Sequence, residues 1–487
     1  MANFSRQSKR RPLNLATRLT RFEQTDQSTF SSLQPDSLLF PYPLSTGKVR
    51  VFSYFSLPSG ALPFTRAVQP CPEMFVVHQV SSGFVCETKT EPGAGILCYG
   101  ERLVFYPKLV TMSPGGEEVS QVMGREESAE AAQIANGAFQ FDDDRTCILN
   151  ATLSNVARST PWALPVLNSL CKPSRRRSLE KKCSLKSDFD ALVTIFVTRF
   201  EYTNLYHTAT ELAASISSLI RARQSGIFKR AGFGIDDEVL LAINDTTAIF
   251  SNVRLVFPDG HAKGSLDELW TGVFGGIQFV RAGLLNESPM CLGLVVFAEI
   301  GYSSFISMHL SDLKLVAMQE NGYHQMCSYL PALVLGHLIA KRTATIDTTR
   351  VKGKGIFIMR DRPVLPAHPR VKASFMERQV DDEQSLQERV QLMRARGLDV
   401  SLAYLSKMLF ARQVELIRSC DVVIGIHGAA FAHMIWADRN TFFVELAPNS
   451  KGSDVHFSKM ALTKGQRHTR LVRGGQETAS WRKRRMK

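Results

Sequence analysis

The sequence predicts an α/β protein built on doubly wound, largely parallel sheets. Three observations carry that reading. Short runs that are apolar throughout, such as ALVTIFV at 191–197, read as strands buried on both faces. Segments with apolar residues at helical spacing alternate with such strands from residue 191 onward. The length of 487 residues exceeds one ordinary core and calls for two or more domains.

Residues 1–45 are polar, Ser/Thr-rich and basic, and read as a disordered tail. Residues 46–190 form an N-terminal region of mixed strands and cysteines, with strands expected at 75–80 and 103–109 and a charged linker at 172–186. From there the pattern becomes regular. The strand at 191–197 leads to a helix at 205–220, a strand at 238–243 and a turn at Asn244 and Asp245. A helix is expected at 266–280, a strand at 292–297 and a helix at 326–340. Then follow a strand at 356–359, a helix at 381–396, a short strand at 398–404 and a helix at 410–419. A strand at 421–426, a helix starting at 429 and a strand at 441–446 complete the series. Residues 191–335 and 336–465 are each long enough for one Rossmann-like lobe, and residues 466–487 read as a second basic tail.

Composition narrows the function. Hydrophobic residues make up 44% and charged residues 21%, as in a folded protein with a large core. The net charge is +14 and the pI about 9.4. Much of that charge sits in runs at 6–11, 175–182 and 482–487, which read as solvated tails or loops. No nucleic-acid motif accompanies them, so no nucleic-acid partner is expected. None of the nine cysteines forms a C-x-x-C pair, so no structural metal is expected. Six of the nine lie between 71 and 183, which fits one to three disulfides in an oxidising compartment and equally fits scattered buried thiols. The odd count leaves at least one thiol unpaired within the chain. No run reaches the ~18 apolar residues of a membrane span, and the first 45 residues hold no apolar core of a signal peptide. Glycosylation sequons stand at Asn3, Asn150, Asn244 and Asn286.

Two segments carry candidate chemistry. The first is DVVIGIHGAAFAHMIWADRNTFFVEL at 421–446. A buried strand runs into His427 and Gly428, and a helix starts at Ala429. Ligands of parallel sheets bind beyond the carboxyl ends of strands, and a helix start offers N–H groups to phosphate. His427 can donate to a phosphate oxygen, or can be a satisfied structural histidine. Small residues at Gly428 and Ala429 let a diphosphate approach, and Glu445 can accept from two ribose hydroxyls. Arg360, just after the strand at 356–359, would face the same crevice and pair with the diphosphate, unless it is an ordinary loop arginine. The second segment is VTRFEYTNLYHTATELA at 197–213. Its helical spacing puts His207 and Glu211 on one face. The acidic run 142–144 reads as a solvated loop.

These strings resemble glycosyltransferase family 61, whose members carry a strand, an HGAG, a short helix and a strand ending in Val-Glu. They also carry an N-x-x-H opening a helix, here Asn204 and His207, followed by an acidic residue, here Glu211. Ala430 stands where the family has Gly, and the turn at 438–440 is not Gly-rich. The strings at 199–208, MGREE at 123–127, DGH at 259–261 with Trp270 following, and GYSS at 301–304 resemble the plant core xylosyltransferases in particular. The resemblance implies a GT-B architecture: two Rossmann-like lobes about a central cleft, acceptor side first and nucleotide-sugar side second. It implies an inverting transfer from a UDP-xylose donor to the core mannose of an N-glycan or glycoprotein acceptor, without a required metal, in the Golgi or secretory lumen. A related transferase with another donor, such as UDP-GlcNAc on an O-linked acceptor, and a non-catalytic glycan-binding relative are the alternatives. Glu211 is then the expected base and Glu201 the second candidate. His207 and Asn204 would position the base or the acceptor, Trp270 would contact the acceptor, and Arg360, His427, Gly428, Ala429 and Glu445 would hold the donor. No closing helix is visible in 467–487, so the sequence reads as an altered product lacking its anchor and that helix.

Overall fold

A computed structural model describes residues 49–54, 75–89, 95–111, 132–141, 147–158, 160, 162–171, 192–199, 204–234, 250, 252–259, 266–274, 279–281, 288–301, 352–360, 383–447, 456–464 and 466–473. The early strands are β1 (Val49–Tyr54), β2 (Phe75–Ser81), β3 (Phe84–Lys89), β4 (Ile96–Phe105), β5 (Val110–Thr111), β6 (Gln133–Ile134) and β7 (Phe139–Phe141). Then come β8 (Val193–Phe196), β9 (Val253–Phe257), β10 (Phe279–Arg281), β11 (Met290–Phe297), β12 (Lys354–Met359) and β13 (Asp399–Tyr404). The last are β14 (Val422–Ile426), β15 (Phe442–Ala447) and β16 (His468–Arg473). The helices are α1 (Ala151–Arg158), α2 (Ala163–Cys171), α3 (Leu205–Gln224) and α4 (Gly226–Arg230), then α5 (Asp267–Phe274), α6 (Glu383–Ala395), α7 (Phe410–Arg418) and α8 (His456–Lys464).

Two large sheets result. In the first, the described strands run β10-β9-β8-β11-β4-β3-β2, with β7 also paired to β4. Strands β10, β9, β8 and β11 are parallel, and antiparallel strands from before residue 191 extend the sheet. Chain order within the parallel part reverses between β8 and β11. In the second sheet the order is β1-β16-β15-β14-β12-β13, parallel except for the β1–β16 pair. There the order reverses between β12 and β14. Such reversals are the switch points where doubly wound sheets leave a crevice for ligand.

Alternation along the strands explains why both faces are apolar. Val193, Ile195 and Val197 point into a core shared with α3, while Phe196 joins Phe105, Phe139 and Phe297 on the opposite face with α1 and α2. In the second sheet Ile356 and Ile358 face the shared core, while Phe357 and Met359 face α6 through Leu386 and Val390. The shared core runs from α3 to the turn 429–435, so one continuous apolar body joins the two sheets.

Several sequence expectations need correcting. The helix expected at 266–280 stops at Phe274, ahead of Gly275 and Gly276, and residues 279–281 are β10. The strand expected at 103–109 ends at Phe105, and Pro107, which has no N–H for a ladder, opens a 3-10 turn. Residues 468–473, expected in a basic tail, form β16 between β15 and β1. Residues 1–45, Asp142 to Asp144, and the expected elements at 172–186, 238–243, 244–245 and 326–340 lie outside the described residues.

Of the two cysteine readings, the disulfide one holds for five described cysteines. Cys86 bonds Cys98 directly across β3 and β4, and Cys147 bonds Cys171 at the end of α2. Cys291 is also disulfide-bonded, and Cys420 is a buried free thiol. Removing the Cys86–Cys98 bond as a double alanine variant is expected to cost about 3 kcal/mol, because the closed loop spans 12 residues. Urea unfolding of both proteins checks this, and coincident midpoints would refute it. No helix among the described residues is long and apolar enough to cross a membrane. Asn150 is exposed at the start of α1, where its side chain accepts from Leu153 N–H.

Candidate active site

At the second switch point, β12 delivers Arg360 and β14 delivers His427 and Gly428. A Cβ on Gly428 would stand 3.5 Å from the Arg360 guanidinium carbon. A cation and a stretch of bare backbone therefore lie side by side at the crevice, as a phosphate requires. The helix expected from Ala429 is a 3-10 turn, Ala429–Ile435. Its residues Phe431 to Ile435 are all buried, so packing rather than helical amphipathicity sets the path. Phe431 N–H closes the turn on Gly428 C=O at 3.0 Å, so the N–H groups of Ala429 and Ala430 precede the turn's own bonds.

Glu445 is not open to a ribose, contrary to expectation. It is fully buried, and its Oε1 accepts from His427 Nδ1. His468 Nε2 lies 3.0 Å from Oε2, and Arg470 Nε lies 3.7 Å from Oε1. Burial alone would raise the Glu445 carboxyl, but its contacts with His427 and His468 prevail and hold it down at about 2. The carboxylate is thus charged at any working pH, and it holds the His427 ring.

The first switch point is equally polar. Arg199, just past β8, is buried, and its Nε donates to Asp259 Oδ2 at 2.9 Å while a second nitrogen donates to Oδ1 of the same carboxylate. A third contact reaches Asp267 Oδ1 at 3.4 Å, and the guanidinium lies 3.9 Å above the Phe257 ring. Burial opposes this charge, yet Asp259 foremost, then Asp267 and Glu211, keep its pKa above the ordinary value. Glu211 is therefore within electrostatic reach of Arg199. It is 1% exposed on α3, one turn after the buried His207. Gly301, just past β11, abuts the same place: a Cβ there would stand 2.8 Å from Glu211 Cγ and 2.7 Å from Thr210 Oγ1. No side chain larger than hydrogen fits between this strand end and Glu211. Buried Glu299 also ends β11, with its N–H donating to Ser218 Oγ at 3.1 Å.

The two switch points meet at the start of α3. Tyr206 Oη lies 3.0 Å from His456 Nδ1 at the head of α8, and its ring meets Phe457 at 5.6 Å. Phe457 in turn meets the His427 ring at 5.2 Å. One phenylalanine therefore separates the α3 start from His427. Asn204 is the N-cap of α3, accepting from Tyr206 N–H at 3.1 Å. Trp270 does not reach an acceptor: it is 1% exposed, stacked on Phe274 and edge-on to Phe257. Glu201 lies outside the described residues. Sequence reasoning gave no role to Asp259, His468 or Arg470. Asp259 had a signal in the DGH string, whereas His468 and Arg470 sat in a stretch read as solvated.

Comparisons with known proteins bear on this site. Residues 205–444 match the family described as Glycosyltransferase 61. The match opens at the first residue of α3 and closes within β15, so it takes in Glu211, Arg360 and His427. The chain is 25% identical over 369 residues to Beta-1,2-xylosyltransferase RCN11 of Oryza sativa subsp. japonica, a match covering 72% of this chain and 63% of that protein. It is 23% identical over 418 residues to Beta-1,2-xylosyltransferase of Arabidopsis thaliana, covering 76% of this chain and 72% of that one. The chain thus spans less than two thirds of the rice protein's length.

Proposed function

We propose, from the premise that this chain carries a glycosyltransferase 61 domain at residues 205–444, that it transfers xylose from UDP-xylose in β-1,2 linkage to the core mannose of N-glycans. The observation that carries the reading is the meeting of two switch points: a cationic crevice at Arg360, His427 and Gly428, and a buried carboxylate at Glu211. The names of the rice and Arabidopsis relatives supply the sugar and the linkage. The sheets correspond to the two lobes of a GT-B enzyme, with the acceptor at the first and the nucleotide sugar at the second.

The reaction is a single displacement. Glu211 takes the proton of the acceptor hydroxyl as its oxygen attacks the anomeric carbon. The bond from that carbon to the β-phosphate breaks, and its electron pair leaves on the phosphate oxygen. Attack from the face opposite the leaving group turns an α-linked donor into a β-linked product. Arg360, His427 and the N–H groups of Ala429 and Ala430 stabilise the charge on the diphosphate. His207 orients Glu211. The disulfides support an oxidising secretory compartment such as the Golgi as the site of this work.

The test is incubation of the purified protein with UDP-sugars and a mannose-core N-glycan, EDTA present, followed by product mass. Addition of one pentose is expected. Transfer from UDP-N-acetylglucosamine instead would keep the class and replace the donor. Silence with every donor from a folded sample would replace catalysis by glycan binding. Arg360→Ala is expected to weaken UDP binding about ten- to hundredfold, since a charge-assisted contact is lost. Titration calorimetry reads this directly, and unchanged affinity would move the diphosphate elsewhere.

A further inference from the structure

Glu445 sits on β15 between two strands that each deliver a histidine to it. β14 brings His427 to Oε1, and β16 brings His468 to Oε2 at 3.0 Å. The register sets Arg470 directly beside Glu445, its Nε 3.7 Å from Oε1. On the far side of His468, Nδ1 lies 3.3 Å from Ser458 Oγ on α8. All of these side chains are buried.

Elementary chemistry fixes the protons. A carboxylate only accepts, so His427 must donate through Nδ1. His468 Nε2 and Glu445 Oε2 stand 3.0 Å apart without an aligned hydrogen bond; two bare acceptors at that distance would repel, so Nε2 carries a hydrogen, and Nδ1 meets the Ser458 hydroxyl at 3.3 Å. Arg470 balances the carboxylate charge in a site with little water. With Nδ1–H committed to Glu445, Nε2 is the ring nitrogen left to face a ligand, and it meets a phosphate oxygen as a donor, in the imidazolium form.

We propose that His468, Arg470 and Ser458 are positioning residues of the donor site, acting through Glu445 to hold His427 with Nδ1–H inward so that Nε2–H of the imidazolium donates to the diphosphate. The proposal rests on the donor-site reading above. It gives Glu445 a task other than holding ribose.

Titration calorimetry of the full chain with UDP and with 2′-deoxy-UDP tests it. Wild type binds UDP. His468→Leu removes the polar N–H beside buried Oε2 and weakens UDP about five- to hundredfold. His468→Gln, whose amide N–H can face Oε2, stays within about threefold of wild type. Glu445→Gln weakens UDP and 2′-deoxy-UDP by the same factor, because its effect passes through His427 and not through the 2′-hydroxyl. Equal UDP affinity for wild type and a folded His468→Leu overturns the proposal. So does a Glu445→Gln variant that loses UDP selectively over the deoxy form. Should His468→Leu fail to fold, Ser458→Ala carries the test: about a two- to fivefold loss is expected, and no loss overturns it. A wild-type protein that binds neither nucleotide overturns the donor-site reading itself, and that outcome is distinct from every variant result.

Discussion

Glu211→Gln is expected to lower kcat by about a hundred- to ten-thousandfold while leaving UDP affinity within about twofold. The substitution keeps the size of the side chain and its place on α3. It removes the one property a base needs, a carboxylate that accepts a proton. Arg199 supports that role by favouring the charged form, and Arg199 is itself largely neutralised by Asp259 and Asp267. Asp259 takes the Arg199 Nε and a second guanidinium nitrogen, so the charge of Arg199 acts on Glu211 through space. The measurement is initial rates against both substrates, with nucleotide binding followed in parallel. A kcat within about threefold of wild type would remove Glu211 from the chemistry and leave Glu201 or Glu299 as the base.

Acidification is the second large effect. His433 is wholly buried, accepting from Trp436 Nε1–H at 2.7 Å and donating from Nε2 to Gln413 Oε1 at 2.9 Å. Burial pushes its pKa from 6.5 down to about 3. In the unfolded chain the ring takes up a proton below about pH 6.5, whereas in the folded chain it does so only near 3. The unfolded state thus binds more protons across that window, so stability is full above it and falls with pH inside it. The slope is about 1.4 kcal/mol per pH unit from this one group. Glu445, held at about 2, adds a loss in the same direction below its ordinary range. Denaturant midpoints near pH 7 and near pH 5 measure the slope. His433→Phe, which fills the space without titrating, should flatten it. Parallel slopes for the two proteins would sink the explanation.

Much of the fold was legible because parallel sheets bury their strands on both faces. The runs at 191–197, 292–297 and 422–426 are almost wholly apolar, and each is a strand near its expected position. From the strand ends the crevice residues Arg360, His427 and Gly428 followed, since the carboxyl ends of such strands are where ligands go. Strand β16 escaped for the opposite reason. His468 and Arg470 are polar because they serve a buried carboxylate, and by composition alone that is indistinguishable from a solvated tail. Glu445 was misread in the same way: a carboxylate closing a strand can face a sugar or a histidine, and only the neighbouring strand decides. Trp270 looked like a sugar platform by residue type, yet it is buried, stacked on Phe274 and edge-on to Phe257.

The pairing of β1 with β16 has a consequence for how the chain reaches this state. Val49 meets Arg473 and Tyr54 meets His468, so the second sheet takes strands from opposite ends of the described chain. During synthesis the first sheet has all its described strands once residue 301 has emerged, whereas the second must wait for its last strand. An early strand stays unpaired through that interval with its hydrogen-bonding edge exposed. Long-range closures of this kind are slow, because the entropy of the whole intervening loop is lost before any contact rewards it. Completion of the second sheet is therefore the late step of biogenesis, and the step most in need of chaperone protection.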